Sequence, residues 1–83
     1  MKFDIRFPKI LKELRQEKGL THKQLAEKIG FSKAIIGFWE SGKYQPTAEA
    51  LIALAFFFNE STDYLLGLEN EDGSKTDYNP IKR

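Results

Sequence analysis

Thr21-His22-Lys23-Gln24-Leu25-Ala26-Glu27-Lys28-Ile29-Gly30-Phe31-Ser32, continuing through Ile36 and Trp39-Glu40 to Gly42, is the stretch that decides the fold. It reads as a short helix, a tight turn and a second short helix. Thr21 and Gln24 have capping-box spacing, so each side chain can satisfy the other's backbone donor. Leu25, Ala26 and Ile29 fall on one face of a helix over 22–29, and Gly30 ends it. Ser32 caps a second helix over 33–41, whose Ile36 and Trp39 point inward and which stops at Gly42. Phe31 lies in the turn and is expected to plug the gap between the two helices.

On the N-terminal side, Pro8 suits the first turn of a helix over 8–18, with Ile10, Leu11 and Leu14 on one face and Gly19 as its stop. Residues 1–7 alternate Phe3, Ile5 and Phe7 with Lys2, Asp4 and Arg6, which is a strand period. A lone strand needs a partner or stays frayed. On the C-terminal side, Thr47 caps a helix over 48–58, with Leu51, Ile52, Leu54, Ala55 and Phe58 as core candidates and Asn59 as a left-handed exit. Ser61 caps a last turn over 62–66, carrying Tyr64, Leu65 and Leu66. Residues 68–83 show no periodicity and read as a flexible tail with Tyr78 and Ile81 as its sticky residues. The organisation expected is an arm at 1–6, a helical domain at 7–67 and a tail at 68–83. Each helix is too short to persist alone in water, so packing must hold the five together.

The chain has 83 residues, enough for one small domain with one modest core. With no cysteine and a single histidine, no disulfide and no thiolate or histidine-cluster metal site is expected, and no cofactor. The sequence offers no signal-peptide pattern or membrane-length apolar run, so a cytoplasmic location is expected. His22 lacks a nucleophile partner, the carboxylates fall on helix surfaces and caps, and no glycine-rich phosphate loop is present, so no enzyme is expected. Net charge is +1, unevenly placed. Residues 8–46 hold eight Lys/Arg against four Glu, a net +4, whereas residues 47–67 hold three acidic residues and no basic one. Attraction to phosphate therefore belongs to the first half.

The pattern Phe7, Leu11-Lys12-Glu13-Leu14-Arg15, Gly19-Leu20-Thr21, Gln24-Leu25-Ala26, Ile29-Gly30, Ser32, Ile36, Trp39-Glu40, Gly42-Lys43, Pro46 resembles the Cro/repressor-type (XRE) helix-turn-helix family. The continuation Leu54-Ala55, Phe58-Asn59, Ser61-Thr62-Asp63-Tyr64-Leu65-Leu66-Gly67 resembles the end of that domain, in a form common in Gram-positive bacteria and their phages. The resemblance spans about residues 7–67. It implies an all-α, five-helix, lambda-repressor-like fold that binds double-stranded DNA sequence-specifically, usually as a dimer.

Residue by residue, the resemblance places Lys33, Ala34, Gly37 and Phe38 at base-reading positions of the recognition helix. Lys33 can donate to guanine, while Ala34 and Phe38 can only pack on thymine methyls. Most relatives carry polar residues at several of these places, so direct readout should be sparse and lean on DNA shape. His22 and Lys23, at a helix N-terminus, and Ser41, Lys43 and Tyr44, in the loop after the recognition helix, fall at phosphate-gripping positions. The family usually has Gln where this chain has His22. Arg15 and Glu40 match a structural ion pair that links the first helix to the recognition helix.

Phe56 stands where relatives place a polar residue, and so does Ala53. Exposed aromatic surface on a small protein points to a partner. Ala53, Phe56 and Phe57, helped by Phe3 and Ile5, are candidates for a homodimer interface on the fourth and fifth helices. The function expected is a transcriptional regulator, a repressor acting by occupancy of a pseudo-palindromic operator. No ligand-sensing module is expected after residue 67. The competing reading is an antitoxin or protein-interaction module that keeps the fold with weak or no specific DNA binding and uses Phe56 or the tail on a protein partner.

Overall fold

The computed structural model describes residues 5–70 and 72–74. Among them the chain forms five helices in the order α1 (Phe7–Glu17), α2 (His22–Ile29), α3 (Lys33–Ser41), α4 (Ala48–Phe58) and α5 (Thr62–Leu66). This is the all-α, five-helix architecture that the sequence predicts. No helix among the described residues is long and apolar enough to cross a membrane.

Local chemistry sets the helix ends. Thr21 Oγ1 accepts from the Gln24 amide at 3.1 Å, and the Thr21 amide donates to Gln24 Oε1 at 2.9 Å, completing the capping box. Ser32, Thr47 and Ser61 each accept from a backbone amide three residues on, starting α3, α4 and α5. Gly30 closes α2 at φ +78°, a conformation that a side chain at this tight turn would strain. Asn59 takes the same left-handed exit from α4 at φ +55°. Pro8 sits in the first turn of α1, where its missing N–H removes nothing the helix needs.

The core gathers one face from each helix: Phe7, Leu11 and Leu14 of α1, Leu25 and Ala26 of α2, Ile36 and Trp39 of α3, Ala50, Leu54 and Phe58 of α4, and Leu65 of α5. Trp39 is the hub. Phe7 meets it edge-on at 6.4 Å between ring centroids, and Phe31, half-buried in the α2–α3 turn, does so at 5.4 Å. Such pairs add directional packing to the area they bury.

Two expectations change. The strand period of residues 1–7 does not produce a strand over residues 5–6, and residues 1–4, with Phe3, lie outside the described residues. α1 starts at Phe7, and Arg6 before it is already in the right-handed helical region. Burying Phe7 against Trp39 draws it into the first helical turn and leaves Ile5 exposed. The second change is Ile52, expected in the core but 52% exposed. α4 is apolar nearly all round, and its buried residues Ala50, Leu54 and Phe58 recur every fourth position. Ile52 lies about 200° around the helix from Ala50, on the opposite side. Tyr78 and Ile81 of the tail lie outside the described residues.

Candidate nucleic-acid interface

α3 packs one side into the core through Ile36 and Trp39 and turns the other outward. Lys33 and Ala34 are exposed on its first turn, and Gly37 and Phe38 are half-buried further along. His22, half-buried, and Lys23, exposed, open α2 beside it. Ser41, Lys43 and Tyr44 are exposed where the chain leaves α3. The fold thus brings the nine proposed base- and phosphate-contacting residues to α3, the start of α2 and the loop after α3.

The loop after α3 folds back onto Phe38. Gly42 reverses the chain at φ +80°, and the Lys43 amide donates to the Phe38 carbonyl at 2.9 Å, the long hydrogen bond of a Schellman ending. Ser41 Oγ donates to the same carbonyl at 3.1 Å. Tyr44 then meets the Phe38 ring edge-on at 5.1 Å, and Lys43 Nζ lies 4.7 Å from its centroid. Phe38 therefore both faces outward and anchors the lysine and tyrosine beside it. Sequence reasoning treated these residues separately, although a glycine stop four residues after Phe38 is the local signal for the contact.

A polar network ties α3 to α1 and α2. Arg15 Nε donates to Glu40 Oε2 at 2.7 Å and Arg15 Nη2 to Oε1 at 3.0 Å, a two-pronged pair. Arg15 Nη1 also donates to the Leu20 carbonyl at 2.7 Å. The two side chains are only 12% and 7% exposed. His22 Nε2 completes the network 3.1 Å from Glu40 Oε1. Burial pushes the Glu40 carboxyl up, but the hydrogen bonds and charges of Arg15 and His22 outweigh it and hold the group below the usual carboxylate range. The Glu40 hydrogen bond likewise raises the Arg15 guanidinium. The role of His22 toward Glu40 escaped the sequence, because the two residues are eighteen positions apart and on different helices.

On α4, Phe56 is 82% exposed. Ala53 is half-buried beside it. Phe57 points elsewhere: it is half-buried, edge-on to Phe58 at 5.0 Å, with Lys18 Nζ 5.5 Å from its ring. The exposed apolar stripe therefore runs from Ile52 to Phe56, one turn apart, rather than through Phe57. A shallow groove of about 280 Å³ borders Phe56 between α4 and α5, lined by Ala55, Asn59, Glu60, Ser61 and Thr62. Ile5 is exposed too. No group of three or more His, Asp or Glu that could hold a metal ion occurs among the described residues.

Comparison with known proteins places this geometry. The helix-turn-helix family profile matches residues 11–65. The chain is 38% identical over 72 residues to the uncharacterized HTH-type transcriptional regulator YobD of Bacillus subtilis, covering 87% of this chain and 64% of that protein. It is 38% identical over 84 residues to the HTH-type transcriptional activator BcrR of Enterococcus faecalis, covering 90% of this chain and 41% of that one. The chain thus spans less than two thirds of either relative. Among solved structures, the P22 c2 repressor protein in complex with a synthetic operator superposes with a TM-score of 0.71 at 26% identity, covering 77% of this chain and 96% of that one.

Proposed function

Because the chain belongs to the Cro/repressor-type helix-turn-helix family, we propose that it is a DNA-binding transcriptional regulator that inserts α3 into the major groove of a pseudo-palindromic operator. The observation that carries this reading is the outward face of α3. Lys33 and Ala34 stand exposed beside Gly37 and Phe38, flanked by His22 and Lys23 on one side and by Lys43 and Tyr44 on the other, all in the net-positive half of the chain. Lys33 reads guanine O6 and N7, and Ala34 and Phe38 meet thymine methyls. His22, Lys23, Ser41, Lys43 and Tyr44 hold backbone phosphates and so set register rather than sequence.

In this reading two copies pair through the Ile52–Phe56 stripe and Ala53, which sets their recognition helices about one DNA turn apart, ~34 Å. The protein acts in the cytoplasm as a repressor, by occupying its operator. The repressor reading draws on the fold's likeness to the P22 c2 protein. BcrR, named an activator, also has a similar sequence, so transcription from a reporter carrying the selected site, measured with and without the protein, tests the sign of regulation.

Selection from a pool of random duplexes, followed by fluorescence anisotropy across a salt series, tests the proposal. A two-fold-symmetric site bound far more tightly than scrambled DNA supports it. Weak binding that tracks only salt refutes it. That outcome would favour the second reading, a protein-interaction module, which the exposure of Ile52 and Phe56 supports. Sedimentation of Phe56→Lys tests the dimer: an unchanged mass removes this interface.

A further inference from the structure

His22 is the chain's one histidine, and its surroundings select which ring nitrogen carries a proton. Nε2 lies 3.1 Å from Glu40 Oε1. Glu40 is ionised beside Arg15, and an ionised carboxylate only accepts hydrogen bonds. Nε2 is therefore the donor, and in the neutral ring it holds the single N–H. Nδ1 is left as a bare lone pair. It has no hydrogen-bond partner among the described residues. It lies along α3 at Gly37, 3.8 Å from where a Cβ on that residue would sit, on the side proposed to meet DNA.

A phosphate oxygen of the DNA backbone also only accepts. A neutral His22 held by Glu40 would present a lone pair to it. The imidazolium has two N–H groups, one for Glu40 and one for the phosphate. We infer that His22 grips the DNA backbone as an imidazolium whose tautomer Glu40 sets, so that operator binding takes up one proton at this residue. The inference rests on the DNA-binding reading above and adds to it a dependence on pH.

The charged groups around the ring fix the sign. Glu40 faces it from α3, and Arg15 of α1 stands behind Glu40, sharing Oε1 with the ring. Lys23, Glu27 and Lys28 on α2, and Lys33 on α3, are exposed to solvent. Glu40 favours the imidazolium and Arg15 opposes it, in the free protein and in the complex alike. The phosphate adds a negative charge in the complex only, so the protonated ring is favoured more when DNA is bound. Affinity is then higher in acid and falls as pH rises, by at most about tenfold per pH unit for one proton.

Anisotropy titrations of the selected duplex from pH 5.5 to 8 test this, with the wild type beside His22→Gln, which keeps a neutral donor. The expected result is an affinity that falls with pH in the wild type and stays flat in the variant. Parallel profiles in the two proteins overturn the inference while leaving DNA binding intact. If neither protein binds any duplex specifically at any pH, the DNA-binding reading falls and this inference with it. NMR of the single imidazole gives a readout that needs no variant. The expected result is the Nε2–H tautomer wherever the ring is neutral and, at a given pH, a larger doubly protonated fraction when the duplex is added. An Nδ1–H tautomer, or a doubly protonated fraction unchanged by the duplex, overturns it.

Discussion

Replacing Glu40 by Gln should destabilise the fold far more than replacing Glu27, although each change removes one negative charge. Glu40 accepts two bonds from Arg15 and one from His22, and its side chain is 7% exposed. A glutamine there keeps one oxygen and turns an NH2 group toward donors that need acceptors. Breaking a buried pair by removing one partner costs about 3–5 kcal/mol. Arg15 keeps its bond to the Leu20 carbonyl, so the lower end, about 3 kcal/mol, applies here. The whole stability of a chain of 83 residues is roughly 4–12 kcal/mol, so the loss is a large share of it. In a domain this size each kcal/mol moves Tm by about 4–8 °C, so Glu40→Gln should melt roughly 12–24 °C below the wild type. Glu27 is exposed on α2, and its replacement should stay within about 0.5 kcal/mol. Circular-dichroism melts at neutral pH, backed by urea titrations, compare the two variants directly. Melting temperatures for the two within a few degrees would refute the argument that Arg15 depends on Glu40. Replacing the pair together, Arg15→Met with Glu40→Leu, should recover much of the loss, because no charge is left buried.

The Glu40 carboxyl is held below its ordinary range, so its contribution is present above the unfolded carboxylate pKa and is lost as pH falls through the folded value. Acid titration followed by circular dichroism should therefore show a wild-type loss of stability that Glu40→Gln lacks. Lys33→Ala should relax preference at one base pair by about 1–3 kcal/mol, whereas Lys43→Ala should weaken all duplexes alike and lower the salt slope by about 0.9; selection and salt titrations separate the two. Leu25 is fully buried, and Leu25→Ala should cost about 2–5 kcal/mol in urea titration, without changing which site is selected. Gly67 sits at φ +84°, with the Arg6 side chain 3.0 Å from where a Cβ would be, so Gly67→Ala should lower Tm on a melt.

Features that depend on near neighbours in the chain can be read from the residues alone. Helix starts and stops were legible because a cap acts within three residues: Thr21 with Gln24, Ser32 with Ile35, Thr47 with Ala50 and Ser61 with Tyr64. The inward faces of α2 and α3 were legible because a helix repeats every 3.6 residues. Where every position was apolar, periodicity carried no information. α4 offered ten apolar residues among eleven, and only packing chose Ala50, Leu54 and Phe58 for burial and left Ile52 and Phe56 outside. Phe7 was misplaced for a related reason: its alternation with Ile5 was local, but the Trp39 ring that draws it into α1 lies thirty-two positions away. The network of Arg15, Glu40 and His22 came only in part from the chain. The family pattern pointed to the first two, while the ring of His22 reaches Glu40 because α2 and α3 pack together. Distance in space between side chains on different helices is set by that packing, and a linear pattern does not carry it.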